Sequence, residues 1–344
     1  MGPVKQFEVP NDSDAGKPAM DDPVVGLMIN PTSRRNRKYL DQLLQIVGDC
    51  PKIYHSITGQ PEKISGGLSY LAGESVNVLA ISGGDGTVSR VLTHLLQEKP
   101  FATPPVIAVL PGGTANMTAG DIGVHRDLRT AVRRLRGWAE QGDGQARLQR
   151  RSILRVSPGR NRQACYGMFF GAGAIVQGID YTNETIHSRG LKDEFSLGLG
   201  MARSMWGIAR QDPRFIRPVD MSIGIDGNQP EASQRTILLL VSSLERLFLN
   251  MHPYWGGANG KPLHMTMIRN PADRLIRNLP SLLRGKRNRY LRPDRGYVSE
   301  NIEKISLGFD GPFTLDGEIM HAEMAAGPVE ISSGGHLNFL RLNH

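Results

Sequence analysis

The sequence predicts two domains of different class: an N-terminal α/β domain with a doubly wound parallel sheet, then a β-sandwich-like domain. Three observations carry this. Apolar runs alternate with helix-spaced segments through the first 140 or so residues, as parallel sheets with crossover helices require. Beyond residue 145 that alternation gives way to short strand-like runs. The chain has 344 residues, more than a single core usually serves. The divisions that follow are a disordered tail at 1–22, the α/β domain at 23–145, the sandwich at 146–330, and a segment at 331–344 able to return to the first domain.

Residues 1–22 are rich in Pro, Asp, Gly and Ser and lack periodicity. Val24 to Ile29 reads as a buried strand running into the polar turn Asn30-Pro31-Thr32-Ser33-Arg34. Leu40, Leu43, Leu44 and Val47 lie on one face of a helix predicted over Tyr39 to Val47. Ile53 to Thr58 is a second strand and Pro61 to Leu71 a second helix. Val76 to Ala80 is a third strand, and Val88 to Leu96 repeats apolar residues at helical spacing. Val106 to Leu110 is a fourth strand, and Asp127 to Ala139 a basic amphipathic helix that closes the domain before a linker at Gln141 to Gln145.

Strands are then expected at Ser152 to Val156, Ala164 to Phe170, Met221 to Ile225, Thr236 to Ser242, His264 to Ile268 and Ile305 to Phe309, with a helix at Phe195 to Ala209. Residues 271–295 combine Leu275, Ile276, Leu279, Leu282 and Leu283 with Arg284, Lys286, Arg287, Arg289, Arg292 and Arg295. That pattern suits either a helix packed on the sandwich or an element resting on an anionic membrane surface. Pro280 argues against one unbroken helix there.

The net charge of +8 belongs to the chain beyond residue 23, because the first 23 residues hold five acids against two lysines. Such an excess favours an anionic partner. Nucleic acid is set aside, since no zinc-finger spacing or RNA-binding aromatic motif is present. Cys50 and Cys165 are too few for a disulfide framework and point to a reducing, cytoplasmic setting. No apolar run approaches the roughly 20 residues that span a bilayer, and the acidic N-terminus lacks signal-peptide character.

The chemistry centres on Gly83-Gly84-Asp85-Gly86-Thr87, between the third strand and its helix. Glycines let backbone N–H groups approach a phosphate, and a helix N-terminus favours an anion. On structural grounds alone the loop could equally be a tight turn with Asp85 capping its helix. Pro111-Gly112-Gly113-Thr114-Ala115-Asn116 is a similar turn after the fourth strand. The turns at Asn30, Gly83 and Gly112 all follow parallel strands, so they share the carboxyl edge where such sheets bind ligands. Phe313-Thr314-Leu315-Asp316-Gly317-Glu318, near the C-terminus, reads by itself as a hairpin turn.

In order and spacing, these motifs resemble the diacylglycerol kinase catalytic-domain family in its bacterial soluble form, related to sphingosine and ceramide kinases. The resemblance implies a nucleotide-binding first domain, a lipid-binding second domain, and an active site in the cleft between them. It implies that ATP is held by Asn30, Pro31, Thr32, Ser33, Arg34, Thr58, Gly83, Gly84, Asp85, Gly86, Thr87, Ser89, Gly113, Thr114 and Asn116. It implies Mg²⁺ at Asp85 and Asp316, and a general base at Glu318 or Asp85, of which Glu318 is preferred. The acceptor would be a hydroxyl of a membrane lipid such as diacylglycerol, ceramide or sphingosine, with the protein on the inner face of the cell membrane.

Four departures stand out. Ser89-Arg90 replaces a common Asn-Glu, Arg34 stands where glycine is usual, Met117 replaces an aspartate, and Asn259-Gly260 occupies the place of an Asp-Asp-Gly metal loop. The alternatives are a catalytically silent lipid- or nucleotide-binding relative, or a soluble-substrate kinase of the NAD kinase or phosphofructokinase type. The oligomeric state stays open, a dimer included.

Overall fold

The computed structural model describes residues 22–141, 146–160, 162–179, 207, 217–230, 232–257 and 259–342. Its first sheet contains β1 (Val25–Ile29), β2 (Ile53–Ile57), β3 (Val78–Gly83) and β4 (Val106–Pro111), all parallel and in the spatial order β4-β3-β1-β2. β1 and β3 are buried at every residue, which is why they appear in the sequence as unbroken apolar runs. Helices α2 (Glu62–Gly73) and α3 (Asp85–Glu98) cover one face, packing Leu68, Val91 and Leu92 on Leu79 and Ile81. Helices α1 (Arg34–Val47) and α5 (Leu128–Gln141) cover the other, packing Leu43, Leu135 and Trp138 on Leu27 and Val78. The short α4 (Met117–Ile122) follows the turn after β4.

α1 starts at Arg34, five residues before the expected Tyr39. Arg34 to Lys38 are polar and contribute no apolar stripe, so periodicity could not reveal that first turn.

The second domain is built from β5 (Ala146–Pro158), β6 (Cys165–Gly167), β7 (Phe169–Gly173), β8 (Val219–Ile225), β9 (Gln234–Ser242), β10 (Leu263–Arg269), β11 (Tyr297–Ile302), β12 (Lys304–Gly308), β13 (Gly311–Leu315), β14 (Glu318–Ala322) and β15 (Val329–Leu342). Its pairings are antiparallel, and Leu154, Phe170, Ile223, Val241, Phe313 and Ile331 meet in its core. Phe170 and Phe313 stack with centroids 5.2 Å apart.

The strand expected over Ala164 to Phe170 is two strands, broken at Met168. There the Asp316 carboxylate accepts the Met168 and Phe169 N–H groups at 2.9 and 3.0 Å. A buried side chain thus takes the place of ladder partners.

β15 pairs antiparallel with β5 along most of its length and parallel with β4 at Phe339↔Ile107. The two domains therefore share one continuous sheet.

The 271–295 segment is not one unbroken helix, as expected, but the break is not at the proline: α6 (Leu275–Leu283) runs through Pro280 and ends at Leu283. The carbonyl that Pro280 cannot serve belongs to Ile276, which is 51% exposed and open to water. The helix expected at Phe195 to Ala209 lies outside the described residues except for Gly207, as do the tail up to residue 21 and linker residues 142–145. Among the described residues no helix is long and apolar enough to cross a membrane.

Candidate active site

The three turns after β1, β3 and β4 meet at one edge, knitted by short polar side chains. Asn30 donates from Nδ2 to Thr87 Oγ1 at 2.8 Å, and its Oδ1 accepts from the Thr32 N–H and hydroxyl at 3.0 and 2.7 Å. Asn36, fully buried in the first turn of α1, donates to the Asn30 and Ser82 carbonyls, both at 2.8 Å, and accepts from Ser82 Oγ at 2.7 Å. Sequence reasoning missed Asn36. An asparagine inside a helix start, six residues after Asn30, was the available signal.

Close backbone approach explains the glycines. A Cβ on Gly113 would collide with Gly84 Cα, and one on Gly112 would lie 2.7 Å from Gly83 N. Asn116, at positive φ, shapes its own turn, accepting from Gly113 N at 2.9 Å and donating to Gly113 O at 3.0 Å. The result is a bare-backbone cradle at the N-terminus of α3.

Asp85 does not cap its own helix. The N-cap of α3 is Gly84, and the Asp85 carboxylate instead accepts the Met117 and Thr118 N–H groups at 3.0 and 2.9 Å, fixing the start of α4. Asp85 and Asp316 are 7% and 3% exposed. Burial pushes Asp316 well above the usual carboxylate range, and the Asp85 charge adds to this; burial raises Asp85 as well, against the pull of its backbone hydrogen bonds.

Asp316 and Gly317 form the β13–β14 turn, both at positive φ, in the manner of a tight hairpin. The turn sends its two acids apart. Asp316 turns inward to β7, while Glu318 comes forward over the glycine turn, with Oε1 2.9 Å from where a Gly86 Cβ would be. Arg90, one helical turn beyond Gly86, holds that same Oε1 at 2.6 Å. Both side chains of the pair are partly exposed.

Behind the acids lies an apolar pocket of about 330 Å³. Its polar end is Asp85, Asp316 and Gly317; its walls include Phe169, Leu240, Met251, Trp255, Leu275, Leu279 and Leu282. α6 is therefore the lid of a cavity as well as a packed helix. Leu249, 60% exposed, and Ile276 are exposed apolar residues next in sequence to the lining residues Phe248 and Leu275.

The other expected residues fall in different places. Ser33, Arg34, Thr114 and Pro31 lie partly exposed around the turns, and Thr58 is buried with its hydroxyl 3.4 Å from Ile29 O. Ser89 Oγ points away from the cradle and donates to Tyr166 O at 2.7 Å, tying α3 to β6. In 271–295, Arg284, Lys286, Arg287, Arg289 and Arg292 are exposed, while Arg274, Arg289 and Arg295 surround the Tyr290 ring at 4.8–5.0 Å.

The cradle suits a phosphate-bearing ligand: no side chain stands at Gly83, Gly84, Gly86, Gly112 or Gly113, and the N-terminus of α3 opens there. Asp85 and Asp316 fit a magnesium ion. They are adjacent buried acids without a salt-bridge partner among the described residues, and each keeps lone pairs beyond its two backbone contacts. The Asn259 region does not fit one. Lys261 Nζ already occupies the nearby Asp226 carboxylate at 2.7 Å, and Asn259 donates to Asn301 O at 2.9 Å.

Residues 24–144 match the family described as the diacylglycerol kinase catalytic domain. Comparison with curated proteins finds no match. Among solved structures, a diacylglycerol kinase from Bacillus anthracis str. Sterne superposes with a TM-score of 0.56 at 15% identity, covering 93% of this chain and 96% of that one. Two further structures from that strain give TM-scores of 0.60 and 0.58 at 17% and 16% identity, each covering 93% of this chain and 96% and 97% of theirs. These likenesses extend the shared fold across both domains. The first domain, residues 24–144, is thus similar in sequence to the diacylglycerol kinase catalytic domain, and the solved structures add a likeness of fold.

Proposed function

We propose that this protein is an ATP-dependent lipid kinase that transfers the γ-phosphoryl group to a hydroxyl of a membrane lipid. One observation carries the reading: the apolar pocket ends at Asp85, Asp316 and Gly317, beside the glycine cradle. A soluble sugar or nucleoside acceptor would need polar walls, whereas an acyl chain needs apolar ones. The exposed apolar residues Leu249 and Ile276 and the neighbouring basic residues suit entry from an anionic bilayer. On this reading the protein works on the inner face of the cell membrane without spanning it.

In the reaction, the lipid hydroxyl oxygen bonds to the γ-phosphorus as the bond from that phosphorus to the β,γ-bridging oxygen breaks. ADP leaves with that electron pair, and the hydroxyl proton passes to the Glu318 carboxylate. Glu318 is the better base because it lies forward over Gly86, while both Asp85 oxygens hold backbone N–H groups. The backbone amides of the cradle orient the phosphates, and positioning of this kind supplies much of phosphoryl-transfer catalysis. A magnesium ion held by Asp85 and Asp316 would supply neutralisation of phosphate charge.

The test incubates the protein with ATP labelled at the γ-phosphate and vesicles containing diacylglycerol, ceramide, sphingosine and monoacylglycerol. Label in a lipid product is expected. Label confined to a water-soluble product overturns the lipid acceptor, and nucleotide binding without transfer marks a silent relative instead.

A further inference from the structure

The Arg90–Glu318 pair is the feature that the reading above leaves unused, and it is out of keeping with a base awaiting its substrate. Glu318 Oε1 is held by Arg90 Nη2 at 2.6 Å, so the carboxylate that would take the acceptor proton is already engaged. The guanidinium is also well placed for another partner. Arg90 stands one helical turn after Gly86 on α3, and the Glu318 carboxylate it holds is also the group nearest the Gly86 Cβ position. Its partner's partial exposure keeps the pair exchangeable: an ion pair open to water is worth little by itself. Guanidinium pairs with phosphate oxygens in the same forked geometry that it uses for carboxylate.

We propose that Arg90 is a ligand of the terminal phosphate and that it trades Glu318 for that phosphate when a nucleoside triphosphate binds. The exchange frees the Glu318 carboxylate at the moment a phosphoryl donor is in place. Arg90 is thus both the residue that distinguishes triphosphate from diphosphate and the latch on the base. This rests on the kinase reading, and nucleotide binding measured without lipid separates the two.

The experiment is calorimetric titration of ATP and ADP into wild type, Arg90→Gln, Arg90→Lys, Glu318→Gln and the double variant Arg90→Gln/Glu318→Gln. Arg90→Gln is expected to lose roughly 10- to 100-fold in ATP affinity, as for one charge-assisted contact, with ADP affinity unchanged. Arg90→Lys keeps part of the preference because it retains charge without the fork. Glu318→Gln is expected to bind ATP more tightly than wild type, since the competing carboxylate is gone. That gain should shrink in the double variant, where there is no guanidinium left to release. Equal losses for ATP and ADP in Arg90→Gln, or no loss for either, overturn the proposal and leave the kinase reading standing. So does a Glu318→Gln gain that persists in full in the double variant. A wild-type protein that binds neither nucleotide overturns both.

Discussion

On its cradle side the site is made of backbone and short polar residues: Gly84 against Gly113, Asn30 on Thr87, Asn36 on Ser82. On its pocket side it is made of apolar side chains gathered from β7, β9, the Leu247 to Trp255 stretch and α6. The first half tolerates almost no added atom, because its contacts are backbone to backbone. The second is defined by the space it leaves. A charged ligand with fixed geometry calls for prearranged dipoles, while a flexible chain calls only for apolar volume. On the proposed kinase reading, specificity for the donor is written in short motifs, and specificity for the acceptor in the shape of a cavity.

Five outcomes would break or sharpen that contrast. The largest is at the junction of the halves: Glu318→Gln should lower kcat by about 10²–10⁴ with an unchanged circular dichroism spectrum. Near-normal turnover in a folded variant removes Glu318 as the base. Arg284→Gln with Lys286→Gln should weaken binding to anionic vesicles by roughly tenfold to a hundredfold at low salt, seen by co-sedimentation. Neutral vesicles should show no change. Gly113→Ala should cost the cradle about 1–3 kcal/mol, read as a lower denaturation midpoint and weaker ATP binding, because the new methyl meets the Gly84 backbone.

Leu279→Trp should raise KM for a long-chain lipid about tenfold while leaving ATP affinity alone, by filling the pocket beneath α6. If ATP affinity falls equally, the two halves are not separable. The smallest effect serves as a control outside both. Burial alone would raise the Asp226 pKa, but the Lys261 ammonium at 2.7 Å and the Lys304 and Glu303 N–H groups outweigh it and hold it below the usual value. Asp226→Asn should therefore cost about 1–2 kcal/mol at neutral pH. The deficit is fully present above the unfolded pKa of about 3.9 and disappears as pH falls through the lower folded value. Urea denaturation at pH 7 and in acid reads this directly, and turnover should hardly move.

The same contrast governs how much the chain disclosed as a sequence. The α/β domain was legible because β1 and β3, buried on both sides, leave continuous apolar runs, and the glycine turns mark their ends. Glycine identity survives translation into sequence because only a missing Cβ permits the Gly84–Gly113 approach. The pocket was not legible. Its lining comes from segments over 100 residues apart, and Leu240 or Leu279 looks like any core leucine until the chain folds. Asp316 was half legible: its place in the hairpin was readable, but its inward contact with Met168 and Phe169 depends on a strand break that apolar patterning concealed. Arg90 was visible as a departure from the family pattern, whereas its grip on Glu318 required the fold.

The shared strand β15 has a mechanical consequence. Pairing with β5 over 146–158 and touching β4 at Ile107, it makes the two domains flanges of a single bent plate. Any relative movement of the two must pass through β5 and β15 together, whose ladder is irregular between Ser333 and His336. Two smaller parts mounted on that sheet also line the pocket: the 315–318 hairpin tip and α6. A strain applied to one domain is therefore felt in the other through two strands rather than through a loose linker.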